Sequence, residues 1–220
     1  GLGDVYKRQI VDPELMYSMP KGLTAATGMD ALTHAIESYI TPGAWVMSDM
    51  FELKAIEMIA QNLKAAVDNG KDVAAREAMS QAQYIAGMGF SNVGLGIVHS
   101  MAHPLGAFYD TPHGVANALL LPYVMEYNAE SPAAPKYIHI AKAMGVDTTG
   151  MSEAEGVKAA VEAVKALSAS INIPQKLHEI NVKEEDIPAL AVAAFNDVCT
   201  GGNPRPTSVS YTHLTLPTIA

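Results

Sequence analysis

Apolar residues recur at intervals of three and four along most of this chain, with polar residues between them, which is the period of an α-helix packed by one face. Over residues 49–69 the repeat is Met50, Leu53, Ile56, Ile59 and Leu63, and it stops at Asn69-Gly70, a helix-ending pair. Residues 72–87 read as a second helix. Ser152 opens a third, because its hydroxyl and the acidic residues Glu153 and Glu155 suit the free N–H groups and positive end of a helix start; its apolar face runs through Ala159, Val164 and Leu167. Residues 183–198 read as a fourth. Pro20, Pro42, Pro112, Pro122, Pro132 and Pro174 are expected in turns or in first turns between helices. Extended structure is expected at most at Ile10-Val11 and around residues 171–173, with no hairpin signal and no βαβ repeat. The expected fold class is all-α, a multi-helix array without internal repeats.

Composition narrows the function classes. With 220 residues, 49% hydrophobic and 17% charged, the chain is long enough to bury one core. A formal charge of −9 argues against nucleic acid or an anionic membrane surface as partner, since both select basic patches. No apolar run is long enough to span a bilayer. Cys199 is the single cysteine, so an intrachain disulfide is impossible and a reducing, cytoplasmic setting is expected.

The chemistry concentrates in histidines. Asp30 and His34 stand one helical turn apart, and His99, His103 and His113 crowd the stretch GIVHSMAHPLGAFYDTPHGVAN. Taken alone, Asp30 and His34 read as readily as a surface pair that stabilises its helix. Three further histidines among Gly, Pro and apolar residues do not resemble a solvated face. A carboxylate with imidazoles from two distant segments is a donor set for a divalent transition metal.

The runs MPKGLTAATGMDALTHAIESYIT, GMGFSNVGLGIVHSMAHPLGAFYDTPHGVANALLLPYVMEYN and DVCTGGNPR resemble the iron-dependent alcohol dehydrogenase family, and the resemblance covers residues 10–208. ITPGAW and KEEDIPALAVAAFNDVCTGGNPR are most similar to the members that interconvert lactaldehyde and 1,2-propanediol. The resemblance implies the helical C-terminal metal-binding domain of a dehydroquinate synthase-like fold, over residues 23–208, with residues 10–22 ending an N-terminal α/β domain. It implies Asp30, His34, His99 and His113 as ligands of a catalytic Fe(II), with Zn(II) able to take the same set, and His103 as an active-site residue that is not a ligand. The implied reaction is NAD(H)-linked interconversion of a small aldehyde and alcohol in a homodimer. A zinc-dependent glycerol dehydrogenase-like enzyme and a non-catalytic metal-binding domain are the alternatives.

No dinucleotide fingerprint is present: Gly87-x-Gly89, Gly94-x-Gly96 and Gly201-Gly202 follow helical rather than strand patterns, and none completes G-x-G-x-x-G. They are expected at helix ends, and the nucleotide is expected to be bound mainly by the N-terminal domain. The two ends read differently from the rest. Residues 4–9, back-translated and reverse-complemented in a shifted frame, encode residues 209–213, so residues 1–9 and 209–220 are expected to be translated adaptor and the chain a fragment.

Other residues carry weaker signals. Phe90, Phe108, Tyr109 and Trp45 are either core or walls of a small pocket. His139 and His178 lie outside the motif, on the surface or in the core. Cys199 reads as a buried thiol at a helix end, and Arg205 as a clamp on backbone or carboxylate.

Overall fold

The structure is a computed structural model that describes residues 10–210. Residues 1–9 and 211–220, which include most of the expected adaptor sequence, lie outside the described residues. Among the described residues eight α-helices follow in order: α1 Lys21–Ile40, α2 Val46–Asp68, α3 Val73–Val93, α4 Ile97–Tyr109, α5 His113–Asn128, α6 Tyr137–Ala143, α7 Glu153–Ser170 and α8 Ile187–Phe195. No strand occurs among the described residues, and residues 10–11 and 171–173 lie in coil and turn.

Helix α1 is the central element, packing against α2, α3 and α5. Its residues Met29, Leu32, Ala35 and Ile36 are fully buried, and they meet Ile56, Ile59 and Leu63 of α2. Burying a side chain of that size contributes roughly 1.5–3 kcal/mol. Gly28 makes room for Leu63: a Cβ there would lie 2.2 Å from Leu63 Cδ1, so the leucine side chain would have to shift. The periodic stripe of α2 is buried from Ile56 onward, whereas Met50 at its start is exposed. Helix α4 packs on α5 and α8, and α6 on α7. Ser152 caps α7 reciprocally with Glu155: the Ser152 hydroxyl accepts from Glu155 N at 3.3 Å and the Glu155 carboxylate accepts from Ser152 N at 2.8 Å.

Several expectations about elements need correction. Helix α3 does not stop near Gly87 but runs to Val93, ending at Gly94 with φ +85°. Gly87 and Gly89 therefore lie inside a helix. Gly89 is there because Glu52 of α2 crosses it: a Cβ at position 89 would lie 1.9 Å from Glu52 Oε1. Pro122 sits inside α5 instead of in a turn, and Pro104 lies inside α4. Dense burial around both prolines, including Leu105, Leu119, Leu121 and Val124, outweighs the lost backbone hydrogen bond. The fourth expected helix is shorter, a 3-10 turn at Glu184–Asp186 followed by α8.

Arg76, 2% exposed, ties the start of α1 to the α2–α3 turn. Its guanidinium donates to the Gly70 carbonyl at 3.0 Å, the Thr24 hydroxyl at 2.8 Å and the Met19 carbonyl at 3.0 Å. Helix α1, which carries Asp30 and His34, is held in place from its first turn.

Candidate metal centre

Three helices bring the motif together. Asp30 and His34 stand one turn apart on α1, His99 lies in the first turn of α4, and His113 is the first residue of α5. The α4–α5 connection is tight: Asp110 is left-handed with φ 53°, and Pro112 caps α5. Gly114 lets α5 begin directly on α1, since a Cβ there would lie 2.3 Å from the Ala26 carbonyl oxygen and 3.3 Å from Asp30 Cβ. Asp30, His99 and His113 offer ligand atoms that all lie within 4.8 Å of one another. His34 joins them through His99, with the two Nε2 atoms 3.2 Å apart. Asp30 Oδ1 lies 3.5 Å from His113 Nε2 and 4.0 Å from His99 Nε2.

The hydrogen bonds on the far side of two rings decide which nitrogen is bare. His34 Nδ1 lies 2.8 Å from the Asp30 carbonyl oxygen, which only accepts, so Nδ1 carries the proton. His99 Nδ1 lies 2.6 Å from Glu37 Oε2 and is likewise the donor. In the neutral rings both Nε2 atoms are then unprotonated, and their lone pairs face each other. Burial lowers the pKa of His34, helped by the neighbouring His99, and burial also lowers that of His113, so both favour the neutral form that binds metals.

The acceptors outnumber the donors. Asn117 Nδ2 lies 2.6 Å from Asp30 Oδ1, 3.1 Å from His99 Nε2 and 3.0 Å from His113 Nε2, and its two protons cannot satisfy three acceptors. Asn117 Oδ1 is itself buried without a partner. Two inward-facing lone pairs on His34 and His99, beside the inward-facing His113 ring nitrogen and the Asp30 carboxylate, are the donor chemistry of a divalent cation site, and these residues fit one.

His103 stands apart from that set. Its Nδ1 donates to Asp197 Oδ2 at 2.7 Å, its ring stacks on His113 with centroids 5.5 Å apart, and its side chain is 42% exposed. Asp197 is held in turn by the backbone N–H of Cys199 at 2.9 Å. Burial acts to raise the Asp197 carboxyl pKa, but the hydrogen bonds from Cys199 and His103 prevail and hold it low. Burial and the Asp197 charge push the Cys199 thiol up to about 12, which leaves it protonated and a poor nucleophile.

Phe90 stacks on His34 at 4.5 Å and, with Asp30, His34, Met16 and Met19, lines a cavity of about 400 Å³. Phe108 and Trp45 are about half exposed, and the Tyr109 hydroxyl donates to Asp186 while accepting from Lys183 N at 3.0 Å. His139 and His178 are exposed. Arg205 does both things expected of it, donating to the Tyr127 carbonyl at 2.9 Å and to Glu130 Oε2 at 2.6 Å. Reading the sequence did not single out Glu37, Asn117 or Asp197. Asn117 had a usable signal, one turn after His113; Glu37 and Asp197 meet their histidines only through the fold.

Residues 24–214 match the family described as Fe-containing alcohol dehydrogenase family, C-terminal. The chain is 59% identical over 202 residues to lactaldehyde reductase of Escherichia coli (strain K12), covering 92% of the chain and 52% of that protein. It is 46% identical over 200 residues to the NAD-dependent methanol dehydrogenase of Bacillus methanolicus, covering 91% of the chain and 52% of that relative. Among solved structures, 1,3-propanediol oxidoreductase superposes with a TM-score of 0.93 at 45% identity, covering 95% of this chain and 55% of the other. The alcohol dehydrogenase from Oenococcus oeni superposes with a TM-score of 0.92 at 40% identity, covering 95% and 54%. The chain thus spans about half the length of these relatives. On this match, and with an all-helical architecture to go with it, the chain belongs to the Fe-containing alcohol dehydrogenase family and carries its C-terminal domain.

Proposed function

We propose that this chain is the metal-binding half of an NAD(H)-linked oxidoreductase that interconverts a small aldehyde and its alcohol, of the lactaldehyde and 1,2-propanediol type. The observation that carries this reading is the pair of bare Nε2 atoms of His34 and His99, 3.2 Å apart beside Asp30, an arrangement that a cation between the lone pairs would stabilise. Asp30, His34, His99 and His113 would hold the ion, Fe(II) by family, with Zn(II) suited to the same donors. When bound there, the ion supplies Lewis-acid stabilisation of negative charge on the substrate oxygen, typically several kcal/mol.

The remaining work falls to this chain's own residues. The 43% exposure of the His113 side chain and the cavity beside His34 leave the centre open on one side, which favours a catalytic site over a closed structural one. Phe90 and the methionines give a small, apolar wall suited to a short aldehyde. His103 holds a proton at Nδ1 against Asp197, which frees Nε2 to take a proton from, or return one to, the substrate hydroxyl. The described residues contain no Gly-rich turn between a strand and a helix, so the nicotinamide nucleotide is held mainly by a segment outside them. The similarity to lactaldehyde reductase supports the substrate class.

The test is metal titration of the chain under anaerobic conditions, followed by NADH-dependent reduction of lactaldehyde by the full-length enzyme. One equivalent of Fe(II) or Zn(II) per chain, lost on His99→Ala, is the expected result. No stoichiometric binding would end the metal reading, and metal binding without any turnover of short aldehydes would end the substrate reading.

A further inference from the structure

We infer that Glu37, a residue outside the ligand set, is the positioning residue that makes His99 a metal ligand, by fixing its tautomer and its ring through a buried carboxylate shared with the start of α4. The inference rests on the metal reading above and adds a determinant of affinity to it.

Glu37 lies on α1 one turn beyond His34 and is 2% exposed, as is the His99 side chain. A carboxylate this deeply buried needs both oxygens satisfied. Oε2 accepts from His99 Nδ1 at 2.6 Å, and Oε1 accepts from the backbone N–H of Val98 at 2.7 Å. The second bond is the informative one. Val98 N belongs to the first turn of α4, where backbone N–H groups have no partner within the helix and the helix dipole is positive. With Oε1 committed there, the carboxylate has one oxygen left for the ring, and it meets Nδ1. The imidazole proton is thereby pinned to Nδ1, and Nε2 is turned toward Asp30, His34 and His113. A hydrogen bond from the far ring nitrogen to a carboxylate also raises the basicity of the metal-facing nitrogen.

The surrounding chain is shaped to admit this carboxylate. Gly96 caps α4, and a Cβ there would lie 2.8 Å from Glu37 Oε1 and 3.1 Å from Asn203 Oδ1. Gly96 has φ −135°, an ordinary extended value, so the constraint is space and not backbone conformation. A methyl group at position 96 would push Glu37 off Val98 N and away from the ring without changing the chemistry of any ligand.

Two perturbations therefore test one device. In Glu37→Gln the amide presents either its oxygen to His99 and its NH2 to Val98 N, donor against donor, which keeps the Nδ1 proton but loses the anchor at Val98 and the charge that raises the ring's basicity, or its NH2 to the ring, which forces the proton onto Nε2; the first weakens the ligand and the second removes it. In Gly96→Ala the carboxylate survives but is displaced. Metal affinity is measured on the 220-residue chain with Zn(II) against a competing chelator, with circular dichroism and melting temperature on the same samples. Both variants are expected to bind metal about 10–100-fold more weakly while keeping their helical content. Tyr123→Phe, which removes the hydroxyl bonded to the Gln175 carbonyl at 3.2 Å, is the control for general destabilisation and is expected to keep the parent affinity. Unchanged affinity in a folded Glu37→Gln chain overturns the inference.

If neither variant folds, the metal-free parent chain decides by 15N-resolved NMR of its histidine rings. His99 protonated on Nδ1 is the expected state, and His99 protonated on Nε2 overturns the role of Glu37. A parent chain that binds no metal yet shows the Nδ1 tautomer refutes the metal reading and leaves the tautomer assignment standing, so the two failures are distinguishable.

Discussion

Asp197 Oδ2 lies 2.7 Å from His103 Nδ1, across a gap of more than ninety positions in the chain. The bond orients the one motif histidine that stands outside the proposed metal donors, and it fixes which of its nitrogens is free to exchange a proton. In the full-length enzyme, His103→Ala is expected to keep its metal and lose activity by roughly 10²–10⁴-fold, the range for general acid–base catalysis. Asp197→Asn should show a smaller loss of kcat and a shifted pH–rate profile. Metal analysis beside steady-state kinetics checks both, and loss of metal from His103→Ala would reassign it as a ligand.

His99→Ala and His113→Ala should behave in the opposite way. On the proposed ligand set each would remove a bond to the ion, so metal content and activity are expected to fall together, with added Fe(II) restoring little. His99→Ala should be the more severe, because His99 is buried and also leaves the Glu37 carboxylate facing a cavity. Elemental analysis of the purified variants gives the answer; a fully loaded His99→Ala enzyme contradicts it.

Glu52 predicts a pH dependence of stability unrelated to the metal. Its carboxylate is fully buried between α2 and Gly89 of α3, and neither oxygen has a hydrogen-bond partner. Burial pushes its pKa up to about 8, and the neighbouring Asp49 charge acts in the same direction. The folded chain therefore keeps a proton that the unfolded chain releases near pH 4.5. Its contribution to stability is complete below that pH, declines as pH rises toward about 8, and levels off once the folded form ionises too. Glu52→Gln should flatten this decline, so its melting temperature gains on the parent between pH 5 and pH 8. Parallel melting curves for parent and variant across that range would refute the assignment.

Arg76→Ala should destabilise the chain by roughly 2–4 kcal/mol, because it leaves the Met19 and Gly70 carbonyls without their charged donor in a buried site. Urea denaturation followed by helical signal measures this. A change under about 0.5 kcal/mol, the usual range for an exposed site, would show that solvent replaces the guanidinium.

The chain by itself is expected to show no NADH-dependent reduction of lactaldehyde, even when loaded with Fe(II). Turnover by the purified 220-residue chain would place a working nucleotide site within it.

Much of this was legible in the sequence because the signals are local. The three- and four-residue period of Ile56, Ile59 and Leu63, the reciprocal cap of Ser152 and Glu155, and the one-turn spacing of Asp30 and His34 depend on residues close together in the chain. Helicity, the all-α class and the motif histidines follow from such patterns. Local signals misled where packing overrode them: Pro122 stays inside α5 because its neighbours are buried, and α3 continues through Gly87 and Gly89, with position 89 kept free of a side chain by the Glu52 carboxylate. Only the tertiary structure decided which nitrogens are bare, which acceptors lack donors, and which carboxylates serve the histidines. Glu37 meets His99, and Asp197 meets His103, across separations that no periodicity encodes, since a hydrogen bond depends on a few tenths of an ångström and on direction, and those are set only when α1, α4 and α5 pack.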